Sequence, residues 1–340
     1  MEWVWPAVFS AGVSWGVAWW VCRHAEALRL VRLPDHRSSH VRPTPNGGGM
    51  GLVLAGSLAG AGLMLQSGRA LGWVVLGLAL LLAAVGLRDD IRSLSAGFRI
   101  SMQLTVTAAF LAVLGEMPHL VLPFGPVLQG WMQLGLLLLV GLWWINLFNF
   151  IDGIDGIAGA QAVYMLVAGA LIAAWWRPEA AADPFWAWML CLAAAAAGFL
   201  LLNWPPAKIF MGDVGSTYLG FMIFCVTLVT VQARWLSYKA WLILGALFLA
   251  DATVTLLTRM LRGDRWYEAH CSHAYQRLAR RWQSHRPVTM LAIALNALWL
   301  APLAWASLIW EAWGWGFVAL AYAPLVAGAV MLRAGRPDGA

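Results

Sequence analysis

Long apolar runs fill the chain from Trp3 to Leu332, and short polar segments separate them. A helix needs about 20 mostly apolar residues to cross the hydrocarbon core of a bilayer. On that ruler the pattern predicts spans over 3–21, 50–66, 71–87, 101–115, 131–148, 157–176, 185–202, 215–231, 240–258, 288–309 and 314–332, about 11 in all. Gly125 and nearby prolines interrupt the stretch between the fourth and fifth. The first run follows Glu2, lacks a basic leader and has no convincing small-residue cleavage site, so it reads as a retained span. The predicted fold is all-α: a polytopic transmembrane helical protein, one integral membrane domain over 1–340.

Composition agrees. Hydrophobic residues make up 61% of the 340 positions and charged residues 11%, against roughly 25% charged in an ordinary soluble domain. Mean hydropathy is +0.72. No polar block is large enough for a soluble domain. The cysteines, Cys22, Cys191, Cys225 and Cys271, have no CxxC spacing and suggest neither a disulfide framework nor a zinc site. Many of the 23 tryptophans suit membrane interfaces.

Positive charge orients the spans, because loops rich in Lys and Arg stay cytoplasmic. With the N-terminus periplasmic, all of the 22 lysines and arginines except Arg69, Arg177, Arg234 and Lys239 fall inside. The net charge of +6 therefore describes a basic cytoplasmic face, suited to anionic head groups or phosphorylated substrates. No basic stripe with interleaved aromatics supports nucleic-acid binding. A multi-pass protein of a bacterial inner membrane is the expected location, with membrane lipids as surroundings and a homodimer left open.

The same topology brings polar motifs to the cytoplasmic span ends. Asp89-Asp90 closes the third span; adjacent carboxylates repel, which suits a general base or a magnesium site, while a solvated helix end balanced by Arg88 and Arg92 is the plain alternative. Asn146, Asn149, Asp152 and Asp155 recur every third residue, and Gly153 and Gly156 loosen the backbone beside them. Oxygen donors in that register fit a hard cation, ribose hydroxyls or a base edge. From Asn203 to Ser216, prolines stop a span, and Gly212-Asp213 opens the next; such a turn exposes N–H groups to phosphate or holds a metal through a carboxylate. Arg262, His270 and His273 lie in the longest inside loop and suit a diphosphate better than zinc. Pro43 to Gly49, including Asn46, is either a flexible entry turn or, through its glycines, a lid or a close ligand contact. Asp251, inside the ninth span, needs a partner or a cavity.

At these residues the chain resembles the bacterial polyprenyl-phosphate N-acetylhexosamine-1-phosphate transferases of glycosyltransferase family 4. These include the enterobacterial-common-antigen and O-antigen initiating enzymes and, more distantly, phospho-MurNAc-pentapeptide transferase. The motifs Pro43 to Gly49, Asp89-Asp90, Asn146 to Gly156, Pro206 to Ser216 and His270/His273 come in the family's order. The resemblance implies transfer of sugar 1-phosphate from a UDP-N-acetylhexosamine to undecaprenyl phosphate, with release of UMP and use of Mg2+ or Mn2+. It implies that Asp89 or Asp90 deprotonates or positions the lipid phosphate, and that Asp213 and Asn149 hold the metal. Phe210 would stack on uracil, and Asn46, Asp152, Asp155 and Asn203 would line the substrate. Lys208, Arg262, His270 and His273 would surround the diphosphate or sugar. The His-Ala-Tyr-Gln-Arg-Leu run from His273 resembles the O-antigen-initiating branch.

Two other classes compete. A transporter also uses intramembrane polar groups and broken helices, but no internal repeat is evident and the motifs gather at one face. A lipid phosphatase could use the same acids and histidines, and would release inorganic phosphate.

Overall fold

A computed structural model describes residues 3–32, 43–123, 125–264 and 271–337. In chain order its helices are α1 (Val4–His24), α2 (Gly49–Ser67), α3 (Ala70–Ile91), α4 (Ala96–Leu114), α5 (Gly130–Ile151), α6 (Ile157–Trp176) and α7 (Pro184–Asn203). There follow α8 (Gly212–Gln232), α9 (Tyr238–Leu244), α10 (Ala246–Leu261), α11 (Ala274–Trp282), α12 (His285–Leu295), α13 (Ala301–Ile309) and α14 (Gly314–Met331). Among the described residues, strands are confined to two antiparallel pairs, β1 (Val31–Arg32) with β2 (Thr44–Pro45) and β3 (Leu120–Val121) with β4 (Val127–Leu128). Among the described residues ten helices are long and apolar enough to cross a membrane, the rod His285–Ile309 counting as one, and the bent α9–α10 pair makes eleven. The protein is a polytopic all-α membrane protein, and each span read from the hydropathy pattern has its helix.

The core forms around α8, whose apolar stretch is 94% buried. It is walled by α2, α3 and α5, and Tyr218, Phe221 and Phe224 fill the space between them. Water cannot satisfy backbone groups at that depth, so an irregular backbone must find protein partners. The ninth span illustrates this. It is one run in the sequence but bends by 75° between α9 and α10. Gly245 stands at the bend, against the ring of Trp144, and the freed Leu244 carbonyl accepts from Gln161 Nε2 at 3.1 Å. Asn296 Nδ2 donates to the same glutamine at 2.6 Å, where the tenth span loosens into a π turn over Asn296–Leu300.

Local capping sets the ends that matter. Ser95 Oγ accepts the Phe98 N–H at 3.3 Å, so α4 begins at Ala96, five residues before the apolar run does. That early start places Arg99 in the first turn of α4.

Candidate active site

Helices α3 and α8 can approach because glycine stands at their contact. A Cβ on Gly86 would lie 2.5 Å from the Asp213 carbonyl oxygen. The next turn of α3 therefore ends against the start of α8, and the acids of the two helices meet. Asp90 Oδ1 accepts the Asp213 N–H and Asp90 Oδ2 accepts the Val214 N–H, both at 3.0 Å. Asp90 thus caps α8 from another helix, satisfying N–H groups that α8 itself leaves unpaired. Gly212 just before it has φ +75°, the left-handed region, with Asp90 Oδ2 2.6 Å from where its Cβ would be. Any side chain there would collide with the cap.

The Asn46 segment completes this corner. Asn46 Nδ2 donates to Asp90 Oδ1 at 2.9 Å. Phe210 N–H donates to the Pro45 carbonyl, and Gly48 and Gly49 N–H groups donate to the Phe210 and Met211 carbonyls, each at 2.9 Å. A Cβ on Gly49 would clash with the Gly215 backbone. These glycines are buried and bonded in register, so at Gly47–Gly49 close packing, not a hinged lid, explains them.

Asp89 faces the other way. Its Oδ2 pairs with Arg99 Nη1 at 2.8 Å, and Arg99 Nη1 also reaches Asp213 Oδ2 at 3.3 Å. Below this group, Asn149 Nδ2 donates to Ser216 Oγ at 3.3 Å, and the Asn149 side chain lies beside Asp213. Asn146 donates to Gln103 Oε1 at 2.7 Å. The three-residue spacing seen in the sequence therefore puts Asn146 and Asn149 on the last turns of α5. Asp152 and Asp155 lie in the turn that joins α5 to α6.

In that turn Asp155 is a tie. Its Oδ2 accepts the Ala207 N–H at 3.0 Å and pairs with His285 Nδ1 at 3.2 Å. Thr289 Oγ1 donates to its carbonyl at 2.9 Å. Asn203 is tied similarly, accepting the Gly156 N–H and donating to the Ile209 carbonyl, both at 2.9 Å. Among the described residues Asp152 has no such set of donors. Burial pushes its carboxyl well above the usual carboxylate range; Arg32 opposes this, and the nearby carboxylates of Asp213, Asp155 and Asp90 reinforce it.

These segments enclose one cavity of about 630 Å3. Of the residues predicted from the motifs, Asn46, Asp89, Asp90, Asn149, Asp152, Asp155, Asn203, Phe210, Asp213 and His273 line it. Lys208 and Arg262 are not among its lining; Lys208 is exposed on the turn beyond Pro206, and Arg262 pairs with Asp264 at 3.5 Å. His270 lies outside the described residues. The cavity also takes in Arg32, Arg99, Gln276 and His285, which the motif reading did not single out. A signal for Arg99 did exist: Ser95 is a helix-cap residue, and it sets Arg99 one turn into a helix that follows the Asp89-Asp90 pair.

Among the described residues the charge balance of the cavity is one-sided. Five aspartates of that set line it, at 89, 90, 152, 155 and 213, against the permanent cations Arg32 and Arg99. Carboxylates gathered out of water call for positive charge. Asp213, Asn149 and Asp89 supply only oxygen donors, and magnesium characteristically takes one or two carboxylates while keeping places for water and phosphate. Among the described residues no three His, Cys, Asp or Glu side chains converge as a metal cage; in donor type alone, a carboxylate with an amide oxygen is what a hard divalent cation shared with water and phosphate takes from a protein.

Comparison with known proteins decides the family. Residues 72–231 match the model of glycosyl transferase family 4. The chain is 30% identical over 284 residues to the probable undecaprenyl-phosphate N-acetylglucosaminyl 1-phosphate transferase of Bacillus subtilis, covering 81% of this chain and 76% of that protein. The chain belongs to glycosyl transferase family 4. A decaprenyl-phosphate N-acetylglucosaminephosphotransferase of Mycolicibacterium smegmatis is 29% identical, with 97% and 89% of the two chains covered. A phospho-N-acetylmuramoyl-pentapeptide-transferase of a Mycobacterium species is 32% identical, covering 65% of this chain and 71% of that one. The stretch matched by the family 4 model runs from α3 to α8 and so carries the acids from Asp89 to Asp213. Asn46, His273 and His285 reach the same cavity from outside it.

Proposed function

We propose that the chain transfers N-acetylhexosamine 1-phosphate from a UDP-sugar to undecaprenyl phosphate, forming undecaprenyl-diphospho-sugar and UMP. The observation that carries this reading is the acid-rich cavity at the junction of α3, α5 and α8, in a chain whose relatives are named for polyprenyl-phosphate sugar-phosphate transfer. Phosphoryl transfer demands positioning and charge neutralisation more than covalent chemistry. A phosphate oxygen of the lipid attacks the β-phosphorus of the UDP-sugar, the bond to the UMP oxygen breaks, and UMP leaves.

The contacts support one division of roles. Asp90 is occupied by α8 and Asn46, so it positions. Asp89, beside Arg99, is the acid that orients or deprotonates the acceptor phosphate, and Arg99 meets its negative charge. Asp213 and Asn149 would hold Mg2+ or Mn2+, which supplies charge neutralisation at the diphosphate. Phe210 offers a ring for uracil, and Asp152 contacts the nucleotide. His273 reaches the diphosphate or sugar.

In this reading the cavity opens at the cytoplasmic face of the inner membrane with the N-terminus outside, which the positive charge of the segments on that side supports. Initiation of O-antigen or a related cell-surface glycan is the process this reaction serves. Membranes containing the protein, given undecaprenyl phosphate, magnesium and a panel of UDP-N-acetylhexosamines, form UMP and a lipid-linked sugar with at least one donor. Phosphate release without UMP supports the lipid phosphatase instead.

A further inference from the structure

The permanent cations that line the cavity among the described residues, Arg32 and Arg99, are held differently. Arg99 is bonded to the protein's own acids, Asp89 and Asp213. Arg32 is not. Its charge acts on the carboxylates of Asp90 and Asp152, but among the described residues its guanidinium has no hydrogen bond or ion pair. A planar cation with five N–H donors at a cavity wall suits an anion brought from outside.

The strand pair around Arg32 adds an acceptor. Arg32 stands opposite Thr44 on β2, and the Asn46 N–H donates to the Leu30 carbonyl at 2.7 Å, carrying the pairing one step further. Arg32 and Asn46 therefore project from the same side of the ribbon. Asn46 Nδ2 is fixed on Asp90 at 2.9 Å. Its Oδ1, in a residue only 6% exposed, has no hydrogen-bond partner among the described residues. That oxygen lies 3.0 Å from where a Gly212 Cβ would stand, and Gly212 and Asn46 both line the cavity. A buried acceptor without a donor is costly, and a hydroxyl of a bound ligand would satisfy it.

The outer edge of β2 holds an aromatic ring. Pro45, which faces Val31 in the pair, accepts the Phe210 N–H at 2.9 Å. One short strand thus fixes both Arg32 and Phe210, and both line the cavity. A ring face, an acceptor for a hydroxyl and a cation match in kind the base, ribose and phosphate of a nucleoside monophosphate. A lipid phosphate has neither base nor ribose to use the first two.

We propose that Arg32 is a substrate-binding residue for the nucleotide, its guanidinium on the uridine-side phosphate of the UDP-sugar. The place of this contact in turnover rests on the transferase reading; affinity for a nucleoside monophosphate is measured without it. The two arginines then divide the two phosphorylated substrates, Arg32 taking the nucleotide and Arg99 the lipid.

Calorimetric titration of the full-length protein in detergent, with magnesium present, compares UMP with uridine. The wild type binds UMP more tightly than uridine. Arg32→Gln weakens UMP about tenfold or more, the loss of a charge-assisted hydrogen bond, and uridine by less than about twofold; the retained uridine affinity shows that the site is folded. Arg32→Lys, which keeps the charge, recovers part of the UMP affinity. Equal weakening of both ligands, unchanged UMP affinity, or no measurable UMP binding by the wild type overturns the proposal. In turnover, Arg32→Gln raises KM for the UDP-sugar about tenfold and leaves KM for undecaprenyl phosphate unchanged. The reverse split moves Arg32 to the acceptor and overturns the assignment. Arg32-dependent UMP binding without UMP formation from any donor sinks the transferase reading and leaves the contact standing.

Discussion

Asp90 accepts the backbone N–H of Asp213 at 3.0 Å, so the acid that ends α3 holds in place the acid that begins α8. The site depends on that grip, because Asp213 reaches Arg99 and Asn149 only from the first turn of α8.

Replacing Asp90 with Asn leaves one oxygen where two N–H groups and the Asn46 amide now bond. A lost charged acceptor at a buried donor costs about 1–3 kcal/mol. Thermal unfolding in detergent is expected to fall accordingly, and turnover by about a hundredfold or more as Asp213 loses its position. Asp89→Asn is expected to lose turnover with little loss of thermal stability, and that contrast between the two acids is the check.

Arg99 lies between Asp89 and Asp213 at 2.8 and 3.3 Å. Arg99→Ala is expected to lower kcat/KM for undecaprenyl phosphate by about 10- to 100-fold, the worth of a charge-assisted hydrogen bond. Arg99→Lys recovers part of it. Steady-state kinetics with the lipid as the varied substrate decide the point; an unchanged kcat/KM for the lipid removes Arg99 from acceptor binding.

Gly86→Ala puts a methyl group 2.5 Å from the Asp213 carbonyl and separates α3 from α8. The expected outcome is a destabilisation of about 1–3 kcal/mol by overpacking, together with loss of activity. Gly77→Ala, on the same helix with nothing within 4 Å, serves as the control and should change neither.

Asp152, in the α5–α6 turn, has a carboxyl held well above the usual range by burial and by its acidic neighbours. Over the interval between the ordinary carboxylate value and the raised one, the unfolded chain has released this proton and the folded chain has kept it. Folding stability therefore declines as pH rises through that interval. Asp152→Asn abolishes this contribution, so its unfolding temperature should gain on the wild type as pH increases from the acid side. Parallel pH curves for the two proteins would contradict the shift.

The spans were legible because bilayer thickness fixes helix length and leaves apolar runs little other use. Motif order was legible for the same reason: once alternate span ends share a face, Asp89, Asn149 and Asp213 must lie near one another. The bend at Gly245 was hidden, since the carbonyl it frees is satisfied by Gln161, 83 residues away in sequence. Arg99 read as a topology-setting charge until Ser95 fixed the start of α4. Nothing in the sequence set His285 apart, and only the fold brings it to Asp155. The division of labour between Asp89 and Asp90 was also invisible, because adjacent residues on a helix point 100° apart and the sequence does not say which faces α8.

The most direct measurement is UMP formation by the purified protein with undecaprenyl phosphate and a panel of UDP-N-acetylhexosamines, with and without EDTA, for wild type and Asp213→Asn. The account predicts UMP and lipid-linked sugar in equal amounts with a preferred donor, abolished by EDTA, restored by excess magnesium, and reduced about a hundredfold or more in the variant. No UMP from any donor in the presence of magnesium, or full activity in Asp213→Asn, would contradict it.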